Sequence, residues 1–195
     1  MIFKTAVTTL VVLFSFNLFG QDLAAFNDAR LNRNQVGMLV LGSWALLNIG
    51  SSPILRANAE GSRKYFYDMN LYWNLANLGL AGFGYFNAVT TDPSIFDATE
   101  SLKAQHTMEK ILLFNAGLDI GYMLGGLYLI ERGKGSVNHE NRFKGFGQSL
   151  ILQGAFLFAF DLVFYLAHQQ GSRELYDLLG SIQISPTSLG LNYKF

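Results

Sequence analysis

Four apolar stretches lie between Val36 and Ala167, and each is interrupted near its middle by an amide or a carboxylate: Asn48, Asn77, Asp119 and Asp161. A helix needs about 20 apolar residues to cross about 30 Å of hydrocarbon at about 1.5 Å per residue. Span one (residues 36–55) and span two (69–89) contain no charge; span three (111–130) contains only Asp119, and span four (145–167) only Asp161. A polar group in hydrocarbon is costly unless paired, so these side chains are expected to turn toward one another. The expected fold is an all-α membrane protein, a four-transmembrane-helix bundle with a polar interior.

Distribution carries this reading further than totals do. Charged residues make up 14% of the chain, against about 25% in soluble domains. They are gathered into blocks between the spans instead of being interspersed at helical spacing. The mean hydropathy is +0.23. Fourteen basic and fourteen acidic residues cancel, which leaves no electrostatic ground for binding nucleic acid. The absence of cysteine excludes disulfides, thiolate catalysis and thiol-ligated metals.

Residues 1–20 read as a signal peptide: Lys4 supplies the positive end, residues 5–19 are mostly apolar, and Gly20 offers a small residue at the cut. Leu18 departs from the small residue preferred there, so an uncleaved anchor is the alternative. Either way the outer N-terminal segment, residues 21–35, is delivered outside. The two loops that then fall inside, 56–68 and 131–144, hold seven basic residues in 27 positions; the outer segments hold six in 64. This density contrast predicts an N-out, C-out arrangement. The outer C-terminal tail, residues 168–195, ends with Leu189, Leu191, Tyr193 and Phe195 alternating with smaller or polar residues. That ending resembles the last strand of an outer-membrane barrel, but one strand cannot satisfy its backbone in lipid, so a short extended tail on the outer surface is expected. Short interfacial helices are expected at residues 172–179 and 22–33.

Depth sorts the polar residues into two tiers. At about 1.5 Å per residue, Asp119 and Asp161 lie about 9 to 12 Å from the outer end of their spans, with Asn115 shallower. Asn48, Asn74, Asn77 and Gln153 lie about 18 to 22 Å deep by the same count. Asn70, Asn74 and Asn77 fall within about 60° of one another, so span two shows a single asparagine stripe. Span three carries Gly117, Gly121 and Gly125, a doubled GxxxG on the face opposite Asp119. These helix-packing glycines are expected to meet span two, through Gly79, Gly82 and Gly84, or the same helix of a second copy in a homodimer.

The strings MNLYWNLANLGLAGFGY (residues 69–85), NAGLDIGYMLGGLYL (115–129) and QGAFLFAFDLVFY (153–165) resemble those of a family of uncharacterised bacterial integral membrane proteins of the Bacteroidetes type. The resemblance implies a helical membrane protein and no activity.

Three functional readings follow from the residues. In one, Asp119 and Asp161 are a pair that binds a proton, a cation or a small polar solute. In another, the same residues and the amides only fix helix register by hydrogen bonding. In a third, the bundle is an accessory or assembly subunit whose protein partner meets the outer loop 90–110 and the tail. No catalytic constellation is visible, since Ser43, Ser51 and Ser52 have no base at recognisable spacing. Of the three histidines only His106 and His168 share a side of the membrane, so neither a metal site nor a cofactor is expected.

Overall fold

The computed structural model describes residues 2–180, 182–185 and 188–191, with side chains described for residues 22–180. Four helices account for nearly all of it: α1 (Ile2–Ala57), α2 (Ser62–Thr90), α3 (Ala98–Lys134) and α4 (Glu140–Gly180). A 3₁₀ turn, Pro93–Ile95, links α2 to α3. A two-stranded antiparallel hairpin, β1 (Ile182–Ser185) and β2 (Ser188–Leu191), follows α4. The tail expected as one extended segment thus pairs residues 182–185 with 188–191, and residues 181, 186–187 and 192–195 lie outside the described residues.

Local chemistry sets the helix ends. Gly61 precedes α2 with φ of 56°, a left-handed conformation that a side chain disfavours. Asp97 caps α3: its carboxylate accepts from the Glu100 N–H at 2.8 Å, and the Glu100 carboxylate accepts from the Asp97 N–H at 3.2 Å. This reciprocal capping box satisfies two otherwise orphaned donors. At the end of α1, Arg56 forms an ion pair with Asp68 of α2 and ties the first hairpin of helices together.

Helix α4 is central, packing against α3 most extensively, against α2 less so, and only sparsely against α1, whose main neighbour is α2. The α3–α4 contact runs on a seven-residue step. Gln105, Leu112, Asp119, Gly126 and Gly133 are all buried along α3, as are Gly147, Gly154, Asp161, His168 and Leu175 along α4. A Cβ at Gly126 would lie 2.6 Å from the Gly147 carbonyl, and one at Gly154 would lie 2.8 Å from the Asp119 carbonyl. Further out, the Gln105 side-chain amide donates to the His168 carbonyl at 2.5 Å. Each seven-residue step along α3 is therefore matched by a step back along α4, the repeat that winds helices into a left-handed pair.

The doubled GxxxG on α3 does not make this contact. A Cβ at Gly117, Gly121 or Gly125 would meet nothing within 4 Å, so within the chain these glycines do not pack on α2. Close approach falls instead to Gly126, Gly133, Gly147 and Gly154, and to Gly145, where α4 presses on the α2 backbone near Ser62 and Phe66. Glycine spacing marks where a backbone can approach, not which neighbour arrives.

Burial is inverted relative to a soluble protein. Among the described residues fourteen polar or charged side chains are buried against eleven apolar ones, four of them alanines. Leu47, Ile54, Phe83, Phe114 and Val163 point outward, each about 70% exposed. Among the described residues three helices are long and apolar enough to cross a membrane: residues 22–57, α3 and α4. Helix α2 is long enough at 29 residues, but Asn70, Asn74, Asn77 and Asn87 lower its hydropathy. The segments expected as separate interfacial helices, 22–33 and 172–179, are continuous with α1 and α4. There Leu23, Phe26 and Leu175 form a small apolar core, with Ala98 and Leu102 packed against it.

Candidate functional site

The helices arrange the interior polar residues in layers. In the central layer Gln153 of α4 is fully buried and joins three helices. Its Oε1 accepts from Trp44 Nε1 of α1 at 2.9 Å, and its Nε2 donates to Asn70 Oδ1 of α2 at 3.1 Å. Asn70 Oδ1 also accepts from Ser149 Oγ at 2.5 Å. Asn74 donates to the Asn70 carbonyl at 2.8 Å, and Asn77 reaches Asn74 Oδ1 at 3.5 Å. The asparagine stripe of span two thus faces inward as a unit, its side chains occupied by protein partners. Trp44 stacks on Phe156 with ring centroids 3.9 Å apart, which fixes the indole where its N–H meets Gln153.

Asp119 and Asp161 form a second layer, nearer the N-terminus of α3 and the C-terminus of α4. Both are buried, at 2% and 5% exposure. Helical side chains tilt toward the N-terminus of their own helix, and α3 and α4 run antiparallel. Asp119 opposes Gly154, one seven-residue step from Asp161, so each carboxyl leans toward the other's level. The two carboxyl groups come within hydrogen-bonding reach of each other. Asp119 Oδ2 is shut from solvent with no hydrogen-bond partner among the described residues. Beneath the pair, Trp73 of α2 and Tyr122 of α3 meet edge to face at 4.8 Å, and the Trp73 indole N–H is also buried without a partner.

Two expected members stand apart. Asn48 is half-buried and donates to the Trp44 carbonyl one turn back on its own helix, at 2.9 Å. Asn115 is half-buried one turn outward of Asp119. Neither is drawn into the central layer, because the α1 and α3 faces that carry them are only partly covered.

A third layer lies beyond the expected span ends. Asn27 donates to Ser101 Oγ at 2.7 Å and accepts from Arg30, and Glu109 accepts from Gln105 at 3.1 Å and from Ser172. Among the described residues His168 lies fully buried with both ring nitrogens unpartnered, and Arg33 Nε and Nη2 are likewise buried without partners. His106 bonds Tyr176 at 2.8 Å, and among the described residues no three metal-ligating side chains gather. Between α2 and α3 the Asp92 carboxyl accepts from the Ser94 N–H and Oγ, which hold it below the ordinary aspartate range. The signal for the third layer was present as polar residues just beyond the span ends, on helices that do not stop at the expected boundary.

Neither a curated protein nor a solved structure matches the chain. A family profile does, over residues 40–162, from within α1 to just past Asp161. The matched region contains the central layer and the carboxyl pair but not the outer layer of α1, and by this match the chain belongs to the family of unknown function DUF6992.

Proposed function

We propose that this is an integral membrane protein of a bacterial inner membrane whose four helices all cross the bilayer. After an N-terminal signal peptide, both ends lie outside. The support is the inverted burial: an apolar surface suits acyl chains, and a polar interior suits helices that have no other way to satisfy amides and carboxyls. Helix α2 joins the spanning set on this reading because Asn70, Asn74 and Asn77 face inward while Leu75, Leu80, Phe83 and Phe86 face out. Helices α3 and α4, at about 55 and 60 Å long, exceed a hydrocarbon thickness of about 30 Å, so their surplus length forms the outer layer.

Within that frame the Asp119–Asp161 pair is the working centre, and it holds one proton, or a cation in its place, between two carboxyl groups. The carrying observation is that the two acids inside the spans stand together on adjacent helices, with one carboxyl oxygen enclosed and unsatisfied. Two ionised carboxylates in apolar surroundings repel strongly, and a shared proton or a bound cation removes that repulsion. The amides take a different part. Their bonds to one another are made, so they serve helix packing, which is the second reading expected above for the whole set.

Infrared spectroscopy of the purified protein at neutral pH tests the centre. A protonated carboxyl gives a carbonyl band distinct from carboxylate, and the band is expected in the wild type and lost in both Asp119→Asn and Asp161→Asn. A wild type without the band, in sodium-free and potassium-free buffer, would overturn the shared proton. Variants with unchanged spectra would do the same.

A further inference from the structure

Helices α1 and α4 touch only sparsely, and the gap between them is a groove of about 510 Å³, within the range of about 300 to 1,000 Å³ typical of small-molecule sites. Its walls are Val36 and Val40 of α1 and Phe160, Val163 and Phe164 of α4, and Phe156 lines it at the inner end. Phe156, Phe160 and Phe164 stack in sequence along α4, at 6.3 and 5.5 Å between centroids, and form a continuous apolar strip. Gly37 lets the Phe164 ring settle against α1, where a Cβ would collide with it. A second hollow, reaching inward to Leu47, shares Val36, Val40 and Phe156 with the first. From Asn32 to Leu47 the pair extends about 22 Å along α1.

The outer mouth is polar and cationic. Asn32 and Arg33 close it, and the Arg33 guanidinium rests on Gly171. Among the described residues the nearest carboxylate is that of Glu174, 4.0 Å from Nη1 and itself 65% exposed, too loose a pairing to neutralise the arginine. A long apolar slot ending in an under-compensated cation is complementary to an amphiphile with an anionic head and a single chain lying along the protein.

Building on the membrane reading, we infer that this groove binds an anionic phospholipid of the outer leaflet, one acyl chain lying on the Phe156–Phe160–Phe164 strip and the phosphate at Arg33. The charge selects the headgroup, and the strip holds the chain.

The test uses the full-length protein in vesicles holding equal amounts of phosphatidylglycerol and phosphatidylethanolamine with the same acyl chains. Lipid retained after mild detergent extraction is read by native mass spectrometry. The wild type is expected to retain one phosphatidylglycerol at least about fivefold over phosphatidylethanolamine, a difference of about 1 kcal/mol at about 1.4 kcal/mol per tenfold. Arg33→Gln is expected to abolish the preference, Arg33→Lys to keep most of it, and Ala159→Trp, which fills the slot, to lower retention of both lipids severalfold. Equal retention of the two lipids by the wild type overturns the inference, as does a preference that survives Arg33→Gln or retention that survives Ala159→Trp. Alkaline extraction of membranes separates this from the reading beneath it. A chain released by alkali overturns the membrane assignment, whereas a chain that stays embedded and shows no lipid preference overturns the groove alone.

Discussion

Replacing Gln153 with methionine isolates what the central layer contributes. Methionine keeps nearly the same length and flexibility, so little cavity or strain is introduced. Both hydrogen bonds of the side chain disappear: Trp44 Nε1 loses its acceptor, while Asn70 Oδ1 keeps Ser149. Interhelical hydrogen bonds in membranes average about 0.6 kcal/mol and reach about 1.7. Two of them, one leaving a buried indole N–H unpaired, place the expected destabilisation of Gln153→Met at about 1 to 3 kcal/mol. Reversible unfolding in mixed micelles measures it. A double-mutant cycle with Trp44→Phe then reports the Trp44–Gln153 bond alone, with an expected coupling of at least about 0.5 kcal/mol. A Gln153→Met protein as stable as the wild type, or a cycle with no coupling, would refute the claim that this layer locks α1, α2 and α4 together.

Gly147→Leu is expected to cost more than about 3 kcal/mol or to prevent folding, because its side chain would meet the α3 backbone at Gly126. Gly121→Ala, by contrast, is expected to be neutral or to stabilise by up to about 1 kcal/mol as helix propensity improves in open space; cross-linking of the same variant reports whether that face joins two copies. Asp97→Ala removes the capping box and is expected to cost about 1 kcal/mol, seen as faster amide exchange in the first turn of α3. Asp92, held ionised by Ser94, contributes to loop order that is complete above the ordinary aspartate range and is lost as pH falls through its lowered folded value. A carboxyl titration by NMR that finds Asp92 at or above the ordinary range contradicts this.

The span-two stripe was legible because Asn70, Asn74 and Asn77 share one face of one helix, and the period of 3.6 residues makes that face visible without any partner. Asn48 was misjudged for the complementary reason. Its depth matched the central layer, but depth along a helix says nothing about rotation toward a neighbour, and it bonds its own turn instead. The glycines failed in the same way. A stripe at Gly117, Gly121 and Gly125 is a local property, whereas the contact uses Gly126 of α3 against Gly147 of α4, a choice made by both surfaces at once. The helical extensions at either side of His168 were hidden because a hydropathy window closes at the first charges, while a helix continues as long as neighbouring helices cover its polar face.

Composition and periodicity by themselves determined that this chain forms long helices with apolar exteriors, and that Asp119, Asp161, Gln153 and the span-two asparagines turn inward, since each of those statements concerns one helix and its surroundings. Only the tertiary structure decided which residues meet. The antiparallel seven-residue register of α3 and α4 brings the two carboxyls together, Gln153 collects bonds from two further helices, and the sparse contact of α1 with α4 opens the groove beside Arg33. Pairing depends on the rotation and axial offset of two surfaces together, and a single helix pattern contains neither quantity.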